Sequence, residues 1–539
     1  MNKSVSRRRF LKIALKAVTL PSSLLFGTSL VTASGAQSKS RLNSEEKDDH
    51  RITERSAVSG KTPSRDPDWN GGCVSPVILL ANDLHSQLNR TQVASVETVT
   101  SLTALQTFIK SAAGKRQSFS TCGGRHAGGG QQFARMKPLL DTTKMNRVLS
   151  LDKKRGLLEV ESGIKWPALL FYLNHANRRS SKPWGIAQKQ TGTDLLTLGG
   201  TLSANAHGQG LAMKPFVGDI ESFVIVNSKG EAVTCSRSQN RELFSLAIGG
   251  YGLFGTVYSM KLRLRPRQKV QRLVEMMNVD EVIPTVESCI ASGFPYGDFQ
   301  FDIDERSDGY LKYGIFSKYK PVEITTPLRE DQHPLSLQEW MAFVQHAHVN
   351  KKETFQKFAE FYISSSGFVN WSDVWQTSTY LNNYHAQIDK TLNYPNKTTE
   401  VLTEIYVPRK SLVGFIDEAR EYFLKNDVNL IYSTIRFIAK DDETFLPWAK
   451  DDYACVIFNL HTIHTTTGIE HSARAFRHLI DLAIKYGGSY YLTYHKFATQ
   501  EQVQACYPQF QDFLRLKLRY DPDEQFCSNW YWHYRDLFA

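Results

Sequence analysis

The chain has 539 residues, room for roughly two to four domains of about 150 residues, and its 41% hydrophobic and 22% charged content is that of a globular protein with a sizeable core. Of its net charge of +11, more than half comes from six basic residues in the first 36 positions; the body of the chain carries no Lys/Arg stripe, which excludes a nucleic-acid-tracking surface. The seven cysteines (Cys73, Cys122, Cys235, Cys289, Cys455, Cys506 and Cys527) are scattered without a CxxC pair, so no zinc site or disulfide framework follows, and no metal is expected.

Ser6-Arg7-Arg8-Arg9-Phe10-Leu11-Lys12, followed by an apolar run over residues 13–31, resembles a twin-arginine export signal, with Ser34-Gly35-Ala36 as a small-residue cleavage site. Residues 1–36 are accordingly read as a signal peptide. Lys16 and Pro21 interrupt the apolar run and favour its removal over retention as an anchor, so no stable membrane insertion is expected. The resemblance implies a periplasmic or secreted protein exported folded, with its cofactor in place. Residues 37–85 read as a polar linker and lead-in, with order beginning near residue 77.

Residues 93–96 read as a short strand. Residues 101–110 read as a helix, with Ser101 as its cap and Leu102, Leu105, Phe108 and Ile109 on one side; residues 117–120 form the next strand. That strand feeds Thr121-Cys122-Gly123-Gly124-Arg125-His126-Ala127-Gly128-Gly129-Gly130-Gln131-Gln132. Each glycine costs up to about 1 kcal/mol inside a helix, so five of them suit a main chain that must come close to a ligand, an anion above all. A flexible surface loop is the alternative. A hairpin over residues 149–152 and 157–161 and a helix over 166–174 follow. A second small-residue stretch covers residues 191–210. Strands at 220–227 and 232–235 and a short helix at 242–247 lead to a third glycine cluster, residues 249–257, which runs into a strand at 258–264. Three such clusters, about 70 and 50 residues apart, imply one large ligand wrapped by several loops of an α+β domain. None fits GxGxxG at a strand–helix turn followed by a ribose-binding acid, which argues against a Rossmann site.

As a set, in this order and spacing, these segments resemble the flavin-binding domain of the vanillyl-alcohol oxidase family, the PCMH-type FAD-linked oxidoreductases, over residues 86–267 and the extreme C-terminus. His126-Ala127-Gly128-Gly129-Gly130-Gln131 is similar to the family's pyrophosphate loop, with Ala127 where relatives have serine. Gly199-Gly200-Thr201-Leu202-Ser203 and Gly249-Gly250-Tyr251-Gly252-Leu253-Phe254-Gly255 resemble its second and third cofactor segments. The resemblance implies FAD, with Thr121, Cys122, Gly123, Gly124, Arg125, His126, Ala127, Gln131, Thr197, Gly200, Thr201, Ser203, His207, Gly250, Gly252, Gly255 and Val257 as the cofactor-binding residues. It also implies a covalent bond from His126 to the flavin 8α-methyl carbon. Residues 198–210 hold no cysteine, so a single link is expected. The implied fold is α+β: a two-part PCMH-type FAD-binding domain at 86–267, a substrate cap at 268–505, and a segment at 506–539 returning to the FAD domain.

Beyond residue 268 the chain is aromatic-rich and reads as irregular over 275–400, apart from strands at 298–301 and 310–316; Trp371, Trp375, Tyr380 and Tyr384 read as packing. Strand 401–407, helix 409–424, strands 429–438 and 453–462, helix 472–486 and strand 490–494 then give a βαββαβ order, which suggests a ferredoxin-like cap roofing the flavin. Glu404, Arg436, His461, His495 and Lys496 occupy a pattern similar to that of the sugar-alcohol and aldonolactone oxidases and are the catalytic candidates, solvated strand ends or salt bridges being the other reading. His461 or His495 suits the base near neutrality, and Lys496 or Arg436 the stabilisation of developing negative charge. The leading reading is an exported FAD enzyme that oxidises a CH–OH group of a small-molecule polyol, sugar or aldonolactone by hydride transfer to flavin N5, with dioxygen, a quinone or a cytochrome as acceptor. Amine oxidation of the cytokinin-dehydrogenase type, with Asp194 as the nearest counterpart of that group's acid, is a second reading. A non-catalytic flavin or carbohydrate binder is a third.

Overall fold

The computed structural model describes residues 78–328, 332, 335–378, 381 and 383–539; the segment read as an export signal, most of the segment read as a linker, and Cys73 lie outside the described residues. Strand β1 (Val96–Thr98), helix α1 (Leu102–Gly114), β2 (Ser120–Cys122) and β3 (Leu139–Asp141) build a parallel three-stranded sheet in the order β1-β3-β2. Ser101 Oγ accepts from Ala104 N and caps α1, as its sequence predicts. The helix buries Leu105, Ile109 and Ala112 among Phe119, Leu140 and Val226. Leu105 and Ile109 each contribute roughly 1.5–3 kcal/mol when fully buried.

An antiparallel sheet follows, from β4 (Val148–Asp152), β5 (Leu157–Glu161), β6 (Ile220–Val226), β7 (Ala232–Ser236) and β8 (Thr256–Arg263), in the order β7-β6-β8-β5-β4. Alternate residues Leu158 and Val160, Phe223 and Ile225, Met260 and Leu262 enter the core, the two-residue period of a half-buried sheet. Helices α2 (Trp166–Asn177), α3 (Leu198–Ala204) and α4 (Arg241–Ala247) connect these strands.

The second half contains β9 (Lys269–Asn278), α5 (Val279–Ala291), β10 (Tyr296–Phe301), β11 (Tyr313–Val322), α6 (Leu337–Val349), α7 (Lys351–Ser364), β12 (Val369–Trp371) and α8 (Tyr384–Leu392). It continues with β13 (Thr398–Pro408), α9 (Leu412–Lys425), β14 (Leu430–Ile438), β15 (Tyr453–Ile463), α10 (Thr466–Lys485) and β16 (Ser489–Tyr490). The βαββαβ run is therefore present, with its strands ordered β14-β15-β13-β16. Its sheet does not stop at β14, however. Phe299 and Gln300 of β10 pair with Ile435 and Thr434, joining all eight strands in the order β12-β9-β11-β10-β14-β15-β13-β16.

Three sequence expectations are corrected here. Residues 275–400 are not irregular: two of their helices, α5 and α6, open on capping boxes, Asn278 with Glu281 and Ser336 with Glu339. The strand expected from residue 310 begins at Tyr313, because Leu311 adopts φ +52° in a turn. The last strand ends at Tyr490, and the chain turns through residues 491–495, where Tyr494 N donates to Tyr491 O.

Helices α11 (Gln500–Cys506), α12 (Phe510–Tyr520) and α13 (Asn529–Leu537) close the chain. Phe526 bridges Phe119, Cys527 N donates to Phe119 O, and Asn529 N donates to Phe133 O. The C-terminus is thereby tied beside the strand that enters the first glycine loop. Trp530, Tyr531 and Tyr534 of the aromatic tail lie in the core. The six described cysteines are buried and unbridged. Among the described residues, no helix is long and apolar enough to cross a membrane.

Candidate active site

The first glycine loop is pressed between two walls. A Cβ on Gly123 would lie 2.1 Å from Thr197 Oγ1, the hydroxyl that caps α3 by accepting from Gly200 N. On the other side, the amides of Gly128 and Gly129 both donate to Thr493 O at 3.1 Å, and a Cβ on Gly129 would lie 2.4 Å from Tyr494 O. Glycine here lets two loops and the cap approach main chain to main chain.

Together the three glycine clusters line one cavity of about 370 Å³. Of the sequence candidates, Thr121, Cys122, Gly123, Gly124, Arg125, His126, Ala127, Gln131, Thr197, Gly200, Ser203, Gly252, Gly255 and Val257 line it. Thr201, His207 and Gly250 do not. Thr201 Oγ1 turns back to Thr197 O at 3.1 Å; His207 Nε2 lies 3.1 Å from Glu404 Oε2; a Cβ on Gly250 would meet Leu246 O at 2.0 Å. Lining residues that the sequence reading did not single out include His85, Trp340, Asn459 and Tyr494; Tyr251 of the third cluster also lines the cavity, and so does Tyr384, which the sequence reads as packing. His85 is set by a turn in which Asp83 Oδ1 accepts from the amides of His85 and Gln87. Its Nε2 lies 3.0 Å from His126 Nδ1, and burial lowers the pKa of both rings.

None of the five catalytic candidates lines the cavity. His495 stacks on Phe497, centroids 5.1 Å apart, behind the first loop, and burial pushes its ring down to about 4. Lys496 Nζ donates to Gly129 O at 2.9 Å, and burial brings its ammonium down to about 8. Arg436 pairs with Asp298 at 3.3 Å, both side chains buried. His461 is held down to about 4, by burial first and by His348 next, so its ring is neutral at neutral pH.

The cap wall is built from β13 and β15 in register: Glu400 opposite His461, Leu402 opposite Asn459, Glu404 opposite Ile457. Leu402 and Asn459 line the cavity, so a buried glutamate stands two residues away on each side of Leu402, on the same face. Each glutamate accepts from a tyrosine that does line the cavity: Tyr384 Oη donates to Glu400 Oε2, and Tyr494 Oη to Glu404 Oε1 at 2.7 Å. Glu404 also accepts from Tyr406 Oη at 2.8 Å and faces His207. Burial alone would raise its carboxyl, but the charge of His207 and these hydrogen bonds together hold it below the usual range. Glu400 is likewise lowered against burial, by His385 and His348. Above the wall, α6 presents Trp340 and Val344, one turn apart, to the cavity.

The family of FAD binding domains matches residues 93–236, and the D-arabinono-1,4-lactone oxidase family matches residues 303–534. Cytokinin dehydrogenase 4 of Oryza sativa subsp. japonica is 26% identical over 348 residues, 61% of this chain and 64% of that protein. Cytokinin dehydrogenase 9 of the same plant is 37% identical over 100 residues, 18% of this chain and 19% of the relative. An uncharacterized oxidoreductase in the fasciation locus of Rhodococcoides fascians is 26% identical over 238 residues, 43% of this chain and 50% of the relative. The chain thus spans less than two thirds of the length of these relatives. The cavity suits FAD: its walls come from all three glycine clusters, and a Cβ on Gly252 would meet only open space.

Proposed function

We propose, for a chain that belongs to the PCMH-type FAD-linked oxidoreductases, that it oxidises a CH–OH carbon of a polyol, sugar or aldonolactone at the Leu402–Asn459 end of the cavity. The observation that carries this reading is Tyr384, a phenol that lines the cavity while donating to the buried Glu400 carboxylate. When bound, FAD supplies the two-electron acceptor for the substrate carbon. The glycine clusters would hold it, with His126 as the residue that would tether it, beside His85. At the substrate end, Asn459 Oδ1 is buried and has no hydrogen-bond partner among the described residues, so it is an acceptor for a substrate hydroxyl. Tyr384 Oη takes the proton of the reacting hydroxyl as its own passes to Glu400 Oε2. Trp340 and Val344 keep water from that end. In this reading the proton route is Tyr384 and Glu400, rather than His461 or His495.

The match of residues 303–534 to D-arabinono-1,4-lactone oxidase supports the CH–OH class. The likeness to cytokinin dehydrogenases favours amine oxidation instead, but Asp194, the acid that reading would use, is held by Lys189 Nζ at 2.7 Å and is not among the cavity-lining residues. The twin-arginine pattern supports export to the periplasm, where dioxygen, a quinone or a cytochrome would serve as the final electron acceptor. Mixing the oxidised enzyme anaerobically with polyols, aldonolactones, sugars and unsaturated secondary amines tests the class. Bleaching of the flavin by a hydroxylated substrate is expected; bleaching by the amines alone would overturn the reading.

A further inference from the structure

We propose that His348, His461 and Glu400 bind a divalent metal ion of the zinc class behind the substrate end of the cavity. The three come from α6, β15 and β13, and their ligand atoms all lie within 4.8 Å of one another. Glu400 and His461 are cross-strand neighbours, and α6 brings His348 over them, one turn beyond Val344. The His348 side chain is fully buried, and that of Glu400 is 2% exposed.

These atoms lack other partners. Both ring nitrogens of His348, Nδ1 of His461 and Oε1 of Glu400 make no hydrogen bond among the described residues. Leaving such a buried group unsatisfied is costly, and here several converge on one point. His348 Nε2 and Glu400 Oε1 stand 3.4 Å apart. That separation is close to the edge of a tetrahedron, about 3.3 Å, when metal–ligand bonds are about 2.0–2.1 Å. A proton shared between the same atoms would need a shorter, aligned contact.

The donor set selects the ion. Two imidazoles and one carboxylate, without a thiolate, suit zinc and its divalent neighbours rather than copper(I); only one oxygen ligand argues against calcium or magnesium. Three protein ligands leave a fourth position open. The carboxylate is oriented from behind, because Oε2 accepts from Tyr384 Oη and lies 3.1 Å from His385 Nε2. The metal takes Oε1 and the proton route takes Oε2, so the two roles of Glu400 share no atom. The other cluster of this kind, His207, Glu404 and Cys455, is a poorer candidate, since two tyrosine hydroxyls already occupy Glu404.

The test uses the purified flavin-loaded enzyme, stripped with a chelator and titrated with Zn²⁺ against a chromophoric competitor. About one Zn²⁺ per chain is expected to bind, with His348→Ala and Glu400→Gln each weakening it by at least about 10-fold. Cys455→Ser is expected to bind as wild type does. The flavin spectrum of each variant reports folding and cofactor content independently of zinc. Failure of the well-folded wild type to bind stoichiometric Zn²⁺ would overturn the proposal, as would equal binding by His348→Ala.

Discussion

Glu404 and Glu400 face the same way on β13, four residues apart, and the account gives them different work; Glu404→Gln separates the two. The Glu404 carboxylate accepts from Tyr494 Oη at 2.7 Å and Tyr406 Oη at 2.8 Å, and lies 3.1 Å from His207 Nε2, all in the core. A hydrogen bond to a charged acceptor contributes roughly 1.5–3 kcal/mol and one to a neutral acceptor about 1, so three bonds each weaken by about 1 kcal/mol. Relief from burying a charge returns part of that, for a net loss of about 2 kcal/mol. Chemical denaturation followed by tryptophan fluorescence measures the loss. A cycle with Tyr494→Phe isolates the Tyr494–Glu404 coupling, expected at about 1 kcal/mol or more. Anaerobic flavin reduction in Glu404→Gln is expected to stay within a few-fold of wild type. A variant as stable as wild type that reduces its flavin about 100-fold more slowly would show that Glu404 belongs to the chemistry and would refute this reasoning.

Three further outcomes follow from the structure. If His126 is the tether, acid-denatured wild-type chain keeps its flavin and His126→Ala releases it; flavin extractable from wild type would contradict the link. Gly252→Asn and Gly255→Ala are expected to fail differently. The first puts a side chain into open space at φ +76°, which asparagine tolerates, and should fold while losing cofactor; the second sets a Cβ 2.6 Å from Val226 O and should lose fold, as circular dichroism and bound flavin will separate. Burial pushes the Asp219 carboxyl up to about 7, above its unfolded value of 3.8, so its contribution is fully present below pH 3.8 and is lost as pH rises through about 7. At roughly 1.4 kcal/mol per unit this amounts to at most about 4 kcal/mol, so Asp219→Asn should gain stability on wild type between pH 5 and 8 in denaturant titrations; parallel pH curves would contradict it.

The cofactor end of the site was legible because its signal is local. Glycines cluster in sequence wherever main chain must approach main chain, and Gly123 against Thr197 or Gly129 against Tyr494 explains why no other residue serves. The substrate end was not, because its residues meet only through the fold. Tyr384 reads as one aromatic among many; its place in the cavity depends on α8 packing beside β13, which no spacing encodes. His461, Glu400 and His348 sit on three elements over a hundred residues, with no ligand motif. His495 and Lys496 followed a strand-end pattern, but the chain leaves the strand at Tyr490 and carries both behind the first loop. The helices between residues 275 and 400 had partial signals: Asn278-x-x-Glu281 and Ser336-x-x-Glu339 are capping boxes, masked by the surrounding aromatic density.

In the proposed mechanism the proton of the substrate hydroxyl leaves through Tyr384. Its most direct test is the anaerobic rate of flavin reduction in Tyr384→Phe, with the best substrate of the wild-type panel at saturation. Phenylalanine keeps the ring in the cavity wall and removes only the Oη that reaches Glu400. The account predicts unchanged flavin content with reduction slowed by about 100-fold or more. Reduction at the wild-type rate by the same substrate would contradict it.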